Sequence, residues 1–162
     1  MIFESARLVL SENEMDIQQL RTNLDTADQY QQQVFDRQLL EESKYKSFVS
    51  DRSLIDVLAY SGAHSRILQK LLKSQELADY IQELRNQFVF LIHPTPATLA
   101  SDGVREAINW EQIISIHSQI KLFYDIFDIR YFLINIDSMK DRCQFVDAVL
   151  SLSKVKINDQ NN

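Results

Sequence analysis

Apolar positions along the chain fall into two rhythms. The first is helical. Across 25–44, Tyr30, Val34, Phe35 and either Gln38 or Leu39 recur on one face with no Gly or Pro between them, and Asp25 or Thr26 stands where a cap belongs. Leu54, Val57, Leu58 and Ser61 do the same over 53–61. Over 65–86 the stripe is Leu68, Leu71, Leu72, Leu77, Tyr80, Ile81 and Leu84, with a break at Ser74, which can cap a second piece. A long helix is predicted within 104–127, its stripe formed by Trp110, Ile113, Ile114, His117, Ile120 and Tyr124. Ser138 opens a last helix reaching about residue 152, and residues 5–10 open the first. Residues 11–24 carry scattered Met15, Ile17, Leu20 and Leu24 and resolve into no element.

The second rhythm is the short continuous apolar run. FVFLI at 88–92 reads as a strand buried on both faces, and IRYFLINI at 129–136 as a second strongly apolar strand. Residues 1–3 and 47–50 are shorter candidates. Strands alternating with long helices predict βαβ units. The expected fold class is therefore α/β, a parallel sheet flanked by helices with right-handed crossovers. Ligands in such sheets sit outside the carboxyl ends of the strands. Three patches fall there: Asp51-Arg52, the proline-containing loop 93–105, and Asp137.

Composition narrows the picture. The chain has 162 residues, enough for one domain with a core. Its net charge is −6 and its pI about 5.0, which argues against binding to nucleic acid or anionic membrane. Residues 1–152 read as a single domain and 153–162 as a flexible tail. Cys143 is the only cysteine, so an internal disulfide and a cysteine-based zinc site are excluded, and a reducing, cytoplasmic setting fits. Neither a signal-peptide pattern nor a membrane-spanning apolar run is present. Gly62 and Gly103 are the only glycines. A phosphate-cradling loop of the form G-x-x-x-x-G-K-[ST] needs closely spaced glycines, because backbone N–H groups must wrap the phosphates, and these two cannot build one.

The chemistry-bearing residues begin with Asp51-Arg52. An acid directly after a strand can hold Mg²⁺ through water or accept a hydroxyl proton. The adjacent Arg can clamp an anion with its planar fork. Taken alone, the pair reads more readily as a strand-end acid capping the next helix beside a solvated Arg. The surrounding SDRSLIDVLAY resembles the Asp-Arg motif of thymidylate-kinase-like enzymes and the Glu-Arg-Ser motif of deoxynucleoside kinases. The order FESAR, a Gln-rich helix, SDRSLIDVLAY, FVFLIHPTP and SDGVRE resembles the P-loop AAA-type ATPase domain related to NadR-like ribosylnicotinamide kinases, over roughly residues 2–150.

That resemblance implies roles. Glu4 and Arg7 would face the acceptor substrate. Asp51 would be the Mg²⁺-linked acid or general base, and Arg52 would bind substrate or phosphate. Asp102 and Arg105 would belong to a lid, where an Arg neutralises charge on a transferred phosphoryl group. ATP and Mg²⁺ are the implied cofactors, and a nucleotide with a small nucleoside-like acceptor the implied ligands. Two departures stand out. The first strand and its phosphate loop, which precede the E-x-x-R segment in the family, are not in these 162 residues. A second lid Arg is replaced by the base-free NWEQII. The expectation is an incomplete P-loop NTPase-like domain, inactive as it stands, with open sheet edges on either side of the absent central strand. The other reading is a non-catalytic module that accepts a protein partner at such an edge.

The remaining residues take plain readings. His117 is a core or half-buried histidine, His64 and His93 lie in loops without metal spacing, and Cys143 packs on a helix. Ser53 caps rather than attacks.

Overall fold

The structure, a computed structural model, describes residues 1–13, 20, 22–96 and 109–159, the last seven as backbone. It holds seven helices and two short strands among those residues: α1 (Ser5–Glu12), α2 (Leu24–Ser43), α3 (Leu54–His64), α4 (Leu68–Leu72), α5 (Gln75–Leu84), β1 (Phe90–Ile92), α6 (Trp110–Ile126), β2 (Phe132–Ile134) and α7 (Met139–Asp159).

Helix α3 is the centre of the packing. Leu54, Ile55, Val57, Leu58, Ala59 and Ser61 are all buried, because α2 and α6 cover it from two sides. Its start is a capping box. Ser53 Oγ accepts from Ile55 N–H, and the Asp56 carboxylate accepts from Ser53 N–H at 2.9 Å. Gly62 does not end the helix. A Cβ there would lie 3.2 Å from Gln119 Oε1 on α6 and from Leu68 Cδ2, so the glycine lets α6 and the chain after α3 approach closely.

The other helices confirm most of the periodic reading. Ser74 caps α5, and α4 and α5 are separate pieces as expected. Helix α2 is capped ahead of both expected residues, two positions before Asp25: Asn23 accepts from Asp25 and Thr26 N–H. Asn109 opens α6 with a reciprocal Gln112 contact. Of the expected α6 stripe, Ile120 and Tyr124 are buried and Trp110, Ile113, Ile114 and His117 half-buried, while Ile116, outside that stripe, is buried as well. The chain leaves α6 through a left-handed Asp128 (φ 54°), where Ile129 N–H reaches Tyr124 O at 2.9 Å. Helix α7 runs past its expected end near 152 to Asp159, and Cys143 is exposed rather than packed.

The strands are where expectation and structure diverge most. Pairing is parallel, as the alternation predicts: Phe90, Leu91 and Ile92 lie opposite Phe132, Leu133 and Ile134. The sheet, however, has two strands of three residues, and among the described residues Ile2 and Ser50 form only an isolated parallel bridge. The architecture is mixed α/β and mostly helical. Burial on both faces does not hold either. Leu91 and Ile134 are buried, whereas Phe88, Ile92, Phe132 and Leu133 are exposed. A continuous apolar run gives the strand; it does not guarantee that both faces find cover.

Candidate functional site

Two backbone hydrogen bonds create the site. Ile2 N–H donates to Val49 O at 2.8 Å, and Asp51 N–H donates to Ile2 O at 3.0 Å. They hold the two segments side by side and parallel. The residues that follow, Phe3-Glu4 on one and Asp51-Arg52 on the other, therefore leave together at the carboxyl end of the pair.

Glu4 opens α1 and joins two arginines. Its Oε2 accepts from Arg7 Nε at 2.8 Å, one turn along the helix. Its Oε1 lies 3.5 Å from Arg52 Nε. Arg52 also reaches Asp56, with Nη1 3.3 Å from Oδ1. Burial works against the Arg52 charge. Asp56, Tyr60, Glu4 and Asp51 outweigh it and hold its pKa above the ordinary guanidinium value. Arg52 sits at φ 89°, a left-handed conformation that costs a non-glycine residue about 1–3 kcal/mol. The surrounding bonds impose it: the chain must turn from the bridge at Ser50 into the capping box at Ser53 within two residues.

A buried polar cluster supports the turn from beneath. Gln38, on α2, is almost completely buried. Its Oε1 accepts from Ser5 Oγ at 2.7 Å, and its Nε2 donates to Glu42 Oε1 at 2.5 Å, Ser50 Oγ at 2.8 Å and Arg52 O at 3.4 Å. Glu42 also accepts from Tyr80 Oη at 3.4 Å. Desolvation raises the Glu42 pKa despite those donors. One amide thus ties the start of α1, the strand end and the Asp51-Arg52 turn to α2. The periodicity of α2 offers either Gln38 or Leu39 to its inner face, and the structure buries Gln38; Glu42, one turn further on that face, carries no such signal in the sequence.

Above the turn lies an open recess of about 360 Å³ lined by Phe3, Glu4, Arg7, Leu8 and Asp51. Three of the residues singled out from sequence meet there. Arg52 is not in the lining; its charge reaches the recess through Glu4. Asp51 is exposed, and its carboxylate makes no hydrogen bond to a described residue. Phe3 is 66% exposed. Asp102 and Arg105 lie outside the described residues. Among the described residues, no group of three or more His, Cys, Asp or Glu side chains is placed to hold a metal ion, and no helix is long and apolar enough to cross a membrane.

The chain matches no curated protein and no solved structure. A family model described as an AAA domain matches residues 1–142. That span takes in the Ile2–Ser50 bridge, the Glu4–Arg52 junction and both strands of the parallel sheet, and over it the chain belongs to the AAA domain family.

Proposed function

We propose that this chain is the acceptor-side portion of a cytoplasmic, nucleotide-kinase-like P-loop domain. In this reading the recess over Glu4, Arg7 and Asp51 receives a nucleoside-like anionic acceptor. The observation that carries it is Glu4 held between Arg7 and Arg52 directly beside the unbonded Asp51 carboxylate. An exposed aromatic ring, a cation and a free acid around one opening match the parts of such an acceptor. Phe3 offers a face for a base, Arg7 a partner for phosphate, and Asp51 a proton acceptor for a hydroxyl.

A lone exposed carboxylate also fits Mg²⁺, which keeps most of its waters and needs only one or two protein acids. Asp51 would hold it through water. The fit to ATP is different. No glycine-rich loop exists in the 162 residues, and Gly62 and Gly103 are too far apart in sequence to wrap a triphosphate between them. Asp102 and Arg105 keep their proposed place in a lid.

Calorimetry with a nucleoside monophosphate, with and without Mg²⁺, tests this reading. Saturable binding that is lost in Arg7→Ala and Asp51→Ala is the expected outcome, together with no Mg²⁺-dependent ATP turnover by this chain alone. Turnover, or binding indifferent to both substitutions, would refute it.

A second reading, a non-catalytic module that pairs with an extended peptide, is favoured by the exposed Ile92, Phe132 and Leu133 on the short sheet, with the exposed Phe88 just before it. It requires peptide binding that leaves the recess residues unperturbed.

A further inference from the structure

Two of the three histidines in the chain meet at the end of β1. His93 follows the strand, and its backbone N–H donates to Ile134 O at 2.8 Å, which prolongs the ladder by one residue. His117 comes from α6. The two ring centres are 5.1 Å apart and the planes lie at 85°. Both side chains are half-buried, and neither ring nitrogen hydrogen-bonds to a described residue. Polar ring atoms partly withdrawn from water and given no protein partner are available to a ligand.

The spacing selects a ligand class. With metal–nitrogen bonds of about 2.0–2.1 Å and a tetrahedral angle, two imidazoles on one ion have ring centres about 5 Å apart. We propose that His93 and His117 form a two-imidazole site for a divalent metal ion of the zinc class, at the carboxyl end of β1. No third His, Cys, Asp or Glu among the described residues completes the set. The other positions are left to water or to a donor atom of a bound molecule, as in open metal sites. Their place in the fold suits this, since parallel sheets bind ligands at that end of their strands.

Lys121 does not occupy the site, because its ammonium is held by Asp125 at 2.7 Å. This inference goes beyond the nucleotide-domain reading and does not depend on it.

The test uses the full chain carrying His64→Ala and Cys143→Ser, which removes the third imidazole and the exposed thiol. Zinc chloride is added after chelator treatment and the imidazole nitrogens are followed by ¹⁵N NMR. One equivalent of Zn²⁺ should shift the resonances of both rings together, with EDTA reversing the change. His93→Ala or His117→Ala should weaken Zn²⁺ binding about tenfold or more, since each removes half of the protein's ligands. No shift at about 1 mM Zn²⁺, an affinity too weak to matter, would overturn the proposal. So would a response of one ring without the other. The NMR readout keeps both imidazoles in place, so a misfolded alanine variant cannot rescue the claim.

Discussion

Glu4 Oε1 lies 3.5 Å from Arg52 Nε, joining the first turn of α1 to a residue held at φ 89°. The contact explains why an arginine occupies a conformation that suits glycine. The Arg52 guanidinium pairs with Glu4 and Asp56, and the bridge at Ser50 together with the capping box at Ser53 imposes the backbone.

Removing the side chain and relieving the backbone should therefore separate. Arg52→Ala loses the ion pairs with Glu4 and Asp56 and keeps the strained turn. Arg52→Gly loses the same pairs and relaxes it. Relief of a left-handed non-glycine residue outweighs the extra entropy of glycine in the unfolded chain, so Arg52→Gly should be more stable than Arg52→Ala by about 1 kcal/mol. Urea unfolding of the two variants measures it, and equal or reversed midpoints would mean the turn is not strained.

The buried Glu42 makes a prediction about pH. Desolvation raises its pKa in the folded chain, while the unfolded chain returns it to about 4.3. A raised carboxyl pKa means the native state holds its proton more tightly. The stability this contributes is fully present below the unfolded value and is lost as pH rises through the folded one. Glu42→Gln keeps an acceptor for Gln38 and Tyr80 and removes the titration. Compared with the parent, the variant should gain stability progressively as pH rises from about 4.5 toward neutrality. Chemical unfolding across that range gives the difference directly, with all other carboxylates cancelling between the two proteins. A constant difference would show that Glu42 does not titrate differently on folding.

At the end of α6, Asp128 stands at φ 54° in the position where helices usually place glycine. Asp128→Gly should stabilise the chain by about 0.5–1 kcal/mol, because the left-handed cap no longer carries a Cβ. Thermal and urea unfolding test this, and a destabilised variant would show that the Asp side chain contributes more than its backbone costs.

The sequence disclosed the elements more readily than their connections. Helix α3 was legible because Ser53, Asp56 and the Leu54–Leu58 periodicity are local signals of one helix. Strands β1 and β2 were legible as apolar runs, but their length and exposure were not: Ile92 and Leu133 look like core residues until the packing leaves them uncovered. At the site, Glu4, Arg7 and Asp51 were named from sequence, and the structure sets them around one recess. The Gln38–Ser50–Glu42 cluster beneath them was not visible, since polar side chains on a helix face look solvated until a second segment buries them. The approach of His93 to His117 escaped for the same reason. Their pairing depends on how α6 lies against the end of β1, which no local pattern encodes.

The most direct test of the acceptor-side site is a ¹H–¹⁵N NMR titration of the chain with a nucleoside monophosphate and Mg²⁺. The expected result is a saturable set of shifts confined to residues 3–8 and 50–53, and their loss in Arg7→Ala. Shifts that cluster elsewhere, or none at about 10 mM ligand, where even a binding free energy near −3 kcal/mol would register, would contradict it.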